Sequence, residues 1–213
     1  METMRERIAQ GKLFTDCCEG LEEDRIRAKK LQQEFNASMP DDMEKRARII
    51  FEILGSEPNF WIEPPFFFAY GYNISLGTGV YINVNCSFID DGKISVGRNT
   101  FFGPSVTVAT SGHPIDPMLR SQGYIYAAPV EIGRNCWIGA NCVICPGVHI
   151  GNNAVIGAGS VVTEDIPENV VAAGNPCKVI RKVGQQDREF YYKERPVEGA
   201  DLRGLDRLSG RRF

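Results

Sequence analysis

Two histidines carry most of the chemistry that this 213-residue chain could perform near neutral pH, and their neighbours separate them. His113 lies in Thr110-Ser111-Gly112-His113-Pro114-Ile115-Asp116. A glycine before it and a proline after it restrict the backbone at the root of a loop. That suits a general base, because an imidazole acts best with a fixed orientation and a pKa near ambient pH. A loop histidine bonded only to backbone is an equally good reading from position. His149, in Pro146-Gly147-Val148-His149-Ile150-Gly151, falls on an outward slot and reads as a solvated surface residue. Asn83 and Asn85 flank Val84, and Asp90 precedes Asp91. Each of these is a weak signal alone, since Asn is common at chain corners for conformational reasons. Near the C-terminal end, a small-residue turn is followed by Lys178, Arg181 and Lys182. They could seat a phosphate-bearing ligand or be the solvated side of an exit strand. Seven cysteines add little. Cys86, Cys136 and Cys142 read as core, Cys17-Cys18 lacks metal spacing, and a thiol nucleophile would need one of the two histidines.

The elements that must position these groups announce themselves by a period of six. Ile132, Ile138, Ile144, Ile150, Ile156 and Val162 are spaced by sixes, each followed four residues later by a small or aliphatic side chain. Neither a helix nor an ordinary strand repeats at six. A parallel β-helix does, with each hexad as one side of a three-sided coil. The beat recurs upstream at Leu76, Ile82 and Phe88, slips by two around Asp90-Asp91-Gly92, and resumes at Val96, Phe102 and Val108. It stops over residues 111–129, which read as an excursion from the stack and as a place for function. About four coils are expected. Two histidines cannot build the three-histidine zinc site of one class of β-helix enzyme.

Residues 1–58 are expected to be a helical segment ahead of the coils. Leu21 to Phe35 forms one helix. Pro40-Asp41-Asp42 opens another, with Met43, Ala47, Ile50, Phe51 and Leu54 on its apolar face and Gly55 ending it. Residues 59–183 form the β-helix, and 184–213 a polar tail with a disordered end. The net charge of −3 and the lack of a basic block give no sign of nucleic acid. No apolar run nears the ~20 residues of a membrane span. The first residues lack a signal-peptide core, so a cytoplasmic location is expected.

Tandem hexads, Gly-His-Pro at a loop root and Ala172-Ala173-Gly174-Asn175-Pro176 after the last coil resemble the hexapeptide-repeat acyltransferases. More narrowly, the chain resembles the galactoside and maltose O-acetyltransferases. Gly11-Lys12-Leu13-Phe14-Thr15-Asp16, Trp61-Ile62-Glu63-Pro64-Pro65, Tyr70-Gly71 and Asn83-Val84-Asn85 carry that likeness, with Asp90-Asp91 and Arg188-Glu189-Phe190-Tyr191-Tyr192-Lys193. It extends over roughly residues 4 to 198. The resemblance implies a left-handed parallel β-helix, a homotrimer with active sites between subunits, and acetyl-CoA as donor, with no metal. It implies acetyl transfer to a hydroxyl of a small sugar, with His113 as base and Asn83 supporting the tetrahedral intermediate. It places Asp16, Ala69, Tyr81, Asn83 and Asp91 at the acceptor, and Ala140, Ala158, Thr163, Glu164, Lys178 and Arg181 at coenzyme A. Ala69 and Ala140 stand where the galactoside enzymes have Ser, Glu164 where a Lys is found, and Ile125 where many relatives carry a Glu. At the replaced serines a hydroxyl bond is lost and a backbone contact would survive. Other acceptors (an amino sugar, an oligosaccharide, serine) and a non-catalytic trimeric scaffold are the alternatives.

Overall fold

The computed structural model describes residues 2–15 and 20–197, so Asp16, Cys17, Cys18 and the end of the tail lie outside it. Its body is a parallel β-helix with three faces. The first face stacks Trp61–Ile62, Tyr81–Ile82, Phe101–Phe102, Trp137–Ile138, Val155–Ile156 and Val170–Ala173. The second stacks Phe66–Phe68, Cys86–Ile89, Thr107–Ala109, Val143–Ile144 and Val161–Val162. The third stacks Ile74–Leu76, Ile94–Val96, Val130–Ile132 and His149–Ile150, with Ile166 bridging below. The stack is longer than the four coils expected, because the Pro64-Pro65 break falls in a corner. The strands on either side of it are full rungs.

The hexad rule holds in the core. Ile82, Phe88, Ile138, Ile144, Ile150 and Val162 are fully buried, and so are the small residues Cys86, Cys142, Ala154 and Ser160 between them. Register advances by 20 residues from Trp61 to Tyr81 to Phe101, and by 18 from Trp137 to Val155. The extra two residues sit at the corner between the second and third faces, where the sequence slips. Corners between the third and first faces are turned by Asn99, Asn135, Asn153 and Asn169, all with positive φ. Asparagine tolerates this conformation better than most residues. Their amides stack: Asn135 Nδ2 donates to Asn153 Oδ1 at 3.0 Å, and Asn153 Nδ2 to Asn169 Oδ1 at 2.8 Å.

The N-terminal segment holds three helices: α1 (Met4–Ala9), α2 (Leu21–Asn36) and α3 (Met43–Leu54). Gly55 ends α3 at φ 69°, as expected. The buried face of α3 is rotated from the expected one: Ile50 and Leu54 are buried as expected, but Met43 and Phe51 are not. Ile49 and Ile53 also pack inward, with Arg46 held by the Ser38 hydroxyl at 2.9 Å. Helix α2 lies on the first strand of the second face and supplies its missing partner with side chains. Asn36 Oδ1 accepts from Phe66 N at 2.8 Å, Asn36 Nδ2 donates to Phe66 O at 3.0 Å, and Gln32 Oε1 accepts from Phe68 N at 3.0 Å. At the other end, Lys178–Lys182 returns antiparallel to Val170–Ala173. The tail continues as a short helix, Gln186–Glu189, and a hairpin of Phe190–Tyr192 with Arg195–Pro196.

Successive coils nearly touch at their corners. A Cβ on Gly139 would lie 2.6 Å from Ala158 N and 2.8 Å from Ile156 O, both backbone atoms with nowhere to go. Gly139→Ala is therefore expected to lower stability by about 1–3 kcal/mol, as overpacking does. Asn153→Ala should cost about 1–2 kcal/mol for the left-handed backbone alone. Denaturant midpoints of the two variants check both.

Candidate active site

The sequence-predicted groups collect at two different corners. The corner between the second and third faces holds the first set. Asp90 is fully buried there, and its carboxylate accepts four backbone N–H bonds from the turn one coil above. Oδ1 takes Ala69 N at 3.0 Å and Tyr70 N at 2.9 Å, and Oδ2 takes Gly71 N at 2.7 Å and Asn73 N at 3.2 Å. The backbone contact that Ala69 could have offered through its N–H is thus already used, leaving its carbonyl and methyl. Asp91 points away from this nest and accepts from Ser111 Oγ at 2.5 Å. Asp91, Asn73, Lys93 and Tyr72 line a cavity of about 340 Å³, with Arg5 and Ile8 of α1 among its other walls.

The excursion at 111–129 leaves from the same corner and is itself folded. Ser111–Gly112 pairs antiparallel with Tyr126–Ala127. Between them runs helix α4 (Pro117–Ser121), capped by Asp116, which accepts from Met118 N and Leu119 N at 3.0 Å. Gly112 serves a close approach: a Cβ there would meet the Tyr126 hydroxyl at 2.6 Å. The N-terminal segment grips the far strand, with Phe14 N donating to Ile125 O and Ile125 N to Phe14 O, each at 2.9 Å. His113 Nδ1 lies 2.9 Å from the Tyr124 carbonyl. A carbonyl only accepts, so Nδ1 carries the proton and Nε2 presents its lone pair. His113 is exposed. Sequence reasoning missed Tyr124, since a backbone acceptor leaves no side-chain signature.

The corner between the first and second faces holds the second set. Asn83 and Gly103 stack there in register with Gly139 and Gly157, and Ala140 and Ala158 follow one residue on; Gly103 N bonds Ile138 O and Gly139 N bonds Ile156 O, each at 2.8 Å. Asn83 Oδ1 accepts from Val84 N at 2.8 Å, which orients the side chain and leaves Nδ2 as its donor end. Tyr81, on the same rung, sets its ring edge-on to Phe101 at 6.5 Å. Asn83 and His113 are not neighbours within one chain. A full side of the prism separates their corners, roughly 15–20 Å at about 3.3 Å per strand residue.

Thr163 and Glu164 are exposed beyond the last strand of the second face. Lys178 Nζ bonds Glu164 Oε2 at 2.8 Å, and Arg181 makes a two-pronged pair with Asp187 at 2.7 and 2.8 Å. The Arg181 bond holds the Asp187 carboxyl down, at about 2. Both basic residues proposed for phosphate are therefore already paired. Asp187 lay hidden in a tail whose polarity gave no sign of a partner. His149 is exposed on the third face beside Glu131, as expected of a surface residue.

Comparison with known proteins gives these corners a context. Residues 129–164 match the hexapeptide repeat of succinyl-transferase, and residues 7–57 the maltose acetyltransferase hexapeptide capping motif. The chain is 50% identical over 198 residues to the galactoside O-acetyltransferase of Escherichia coli (strain K12), covering 92% of this chain and 98% of that one. It belongs to the hexapeptide-repeat acyltransferases, in their galactoside and maltose O-acetyltransferase group. The solved structure of a galactoside acetyltransferase in complex with coenzyme A superposes with a TM-score of 0.87 at 48% identity, covering 92% of this chain and 98% of that one. A maltose O-acetyltransferase from Clostridium difficile 630 gives 0.83 at 44% identity, with 86% and 98% covered. The fold is the left-handed parallel β-helix of this hexapeptide-repeat family, against the usual right-handed preference of parallel crossovers.

Burial pushes the Asp90 carboxyl up to about 6, against the downward pull of its four N–H donors. Folding therefore tightens its hold on a proton relative to the ordinary value of 3.8. The stability this group contributes is full below the unfolded value and is lost as pH rises through the folded one. In Asp90→Asn that dependence is absent. The stability of the parent relative to this variant should fall by about 3 kcal/mol between about pH 4 and 7, at ~1.4 kcal/mol per unit. Denaturation of both proteins across that range checks the sign and the size.

Proposed function

We propose that this chain transfers the acetyl group of acetyl-CoA to a hydroxyl of a small sugar of the galactoside, maltose or glucose type, with His113 as general base. The bond from His113 Nδ1 to the Tyr124 carbonyl carries this reading, because it fixes the ring and frees Nε2. Nε2 takes the acceptor proton as the hydroxyl oxygen attacks the thioester carbon. The Nδ2 group of Asn83 donates to the oxygen that gains negative charge. The C–S bond then breaks, and the proton on Nε2 passes to the departing thiolate of coenzyme A. No acyl-enzyme is needed, since holding both substrates in one cleft supplies much of the acceleration.

The separation of Asn83 and His113 favours a site built from two copies. We read the enzyme as a homotrimer in which the first-to-second corner of one subunit faces the loop corner of the next. The donor runs along the first-to-second corner past Asn83, Ala140 and Ala158, where the small residues and the glycines beside them leave room for a flexible chain. Its phosphates lie toward Thr163, Lys178 and Arg181. Asp16, Asp91, Ala69 and Tyr81 contact the acceptor, with segment 1–58 as the acceptor-side wall. Free thiols at Cys86, Cys136, Cys142 and Cys177 and the use of acetyl-CoA suit the cytoplasm.

His113→Ala should lower turnover by about 10²–10⁴-fold, the usual worth of a general base, with coenzyme A affinity intact. Asn83→Ala should lower kcat by about 10²–10³-fold. His149→Ala should change neither parameter. Co-expression of the two inactive variants tests the shared site: a cleft built from two chains regains about a quarter of parental activity by random mixing. A site within one chain regains none, and a protein that stays monomeric in light scattering overturns the trimer outright.

Pairing of Lys178 with Glu164 makes a second expectation. Glu164→Ala frees the ammonium and should lower the acetyl-CoA KM, leaving the acceptor KM alone. Lys178→Ala combined with Arg181→Ala should raise the acetyl-CoA KM and flatten its salt dependence, since exposed charge pairs are screened. Steady-state kinetics at two salt concentrations separate these outcomes.

A further inference from the structure

The corner at Asp90 is built differently from the other corners of the stack. Elsewhere the buried side chains that close the turns are neutral. Thr100 Oγ1 donates to Gly133 O at 2.8 Å, Ser160 Oγ donates to Gly157 O and accepts from Gly174 N, and the stacked asparagines hold the corners between the third and first faces. Asp90 is the one fully buried carboxylate among the described residues. Burying an ionised carboxylate is costly even when it is well bonded. The one other carboxylate that closes such a corner among the described residues, Asp165, which accepts from His149 N at 2.8 Å, is exposed to water, so turning the chain does not by itself call for a buried charge here.

The connections of Asp90 run to the acceptor side of the site. Its two oxygens grip the backbone of 69–73, which carries Ala69. Asn73 Nδ2 returns the contact by donating to Asp90 O at 2.7 Å. On the other side, Thr110 Oγ1 donates to Ile89 O and accepts from Gly92 N, both at 2.8 Å. Thr110 O accepts from Ala128 N at 2.7 Å, where the loop of His113 rejoins the stack. Asp91 accepts from Ser111 at the loop root. The Asp90 carboxylate therefore holds the turn of Ala69, while its chain neighbours Ile89, Asp91 and Gly92 hold the root of the His113 loop.

We propose that Asp90 is a positioning residue for the acceptor: its buried carboxylate locks the 69–73 turn against Asp91 and the root of the His113 loop, so that a sugar meets a preset frame. This rests on the acetyltransferase reading above. An amide cannot replace the carboxylate without loss. An asparagine side chain in its place would offer one oxygen where two now each accept two N–H bonds, and its NH₂ would face donors.

The test compares the parent with Asp90→Asn and Asn73→Ala, using acetyl-CoA and a galactoside in steady state, with coenzyme A binding by calorimetry. Asp90→Asn is expected to lower kcat/KM for the acceptor by about 10- to 100-fold, as misplacement by about an ångström does. The loss should appear in the acceptor KM, while the acetyl-CoA KM and the coenzyme A Kd stay at parental values. Asn73→Ala, which keeps the carboxylate but cuts its return bond, should move the acceptor KM in the same direction by less. A folded Asp90→Asn protein with the parental acceptor KM overturns the proposal. So does a loss shared equally by both substrates, which marks a purely structural role. If Asp90→Asn does not fold, Asn73→Ala decides: a parental acceptor KM overturns the proposal, and a raised one with coenzyme A binding intact supports it. A parent that acetylates no sugar at all overturns the acetyltransferase reading, and this one with it, before any variant is made.

Discussion

Everything in this molecule depends on one constraint: the backbone must turn three times per coil while staying hydrogen-bonded to the coil above. Strand pairing fixes the rise, so the corners have no freedom to spread. That is why a Cβ at Gly97 would come within 2.5 Å of the backbone at Arg134. It is why asparagines occupy left-handed conformations in columns. The inward aliphatics then fill a core whose cross-section is set by the corners, and the outward residues of each face form columns in register. A functional group placed on one coil is thereby aligned with groups on the next without any further device.

The contrast between the two corners follows from the same geometry. A column of small residues along one corner makes a straight track, which suits an extended ligand. The neighbouring corner is the place where two extra residues and a long excursion are accommodated, and there the polar groups are bespoke. The track is the regular part of the fold, and the excursion is the irregular part. On the reading proposed here, the first would receive a long flexible donor and the second would orient a small rigid acceptor.

The sequence made the regular part legible. The period of six predicted the inward positions through both phases, including Cys86, Cys136 and Cys142, because a repeat averages over local noise. It located the slip at Asp90-Asp91-Gly92 and the excursion after Val108. It misjudged the face of α3, where Met43 and Phe51 look as apolar as Ile49 and Ile53, and only the packing partner chooses between the stripes. It could not see that Gln32 and Asn36 of α2 stand in for a strand, since polar side chains on a helix ordinarily signal solvent. Nor could it see the Tyr124 carbonyl, the use of the Ala69 N–H by Asp90, or the pairing of Arg181 with Asp187. Each of these joins residues through backbone atoms or through charges whose spacing follows no period.

The amides of α2 have a consequence beyond holding the first coil. A parallel β-helix is a sheet that could in principle grow without limit along its axis, and an open rung is a template for another chain. Here the upper rung of the second face is occupied by Asn36 and Gln32, which satisfy the strand's N–H and C=O groups yet present no strand of their own. The lower rung of the first face is closed by a strand running the opposite way, from Lys178 to Lys182. The stack is thus terminated at both ends by pieces that break its repeat. On these faces the repeat cannot simply be continued by another strand, and the faces and corners along the sides of the prism are left as the surface through which copies can meet.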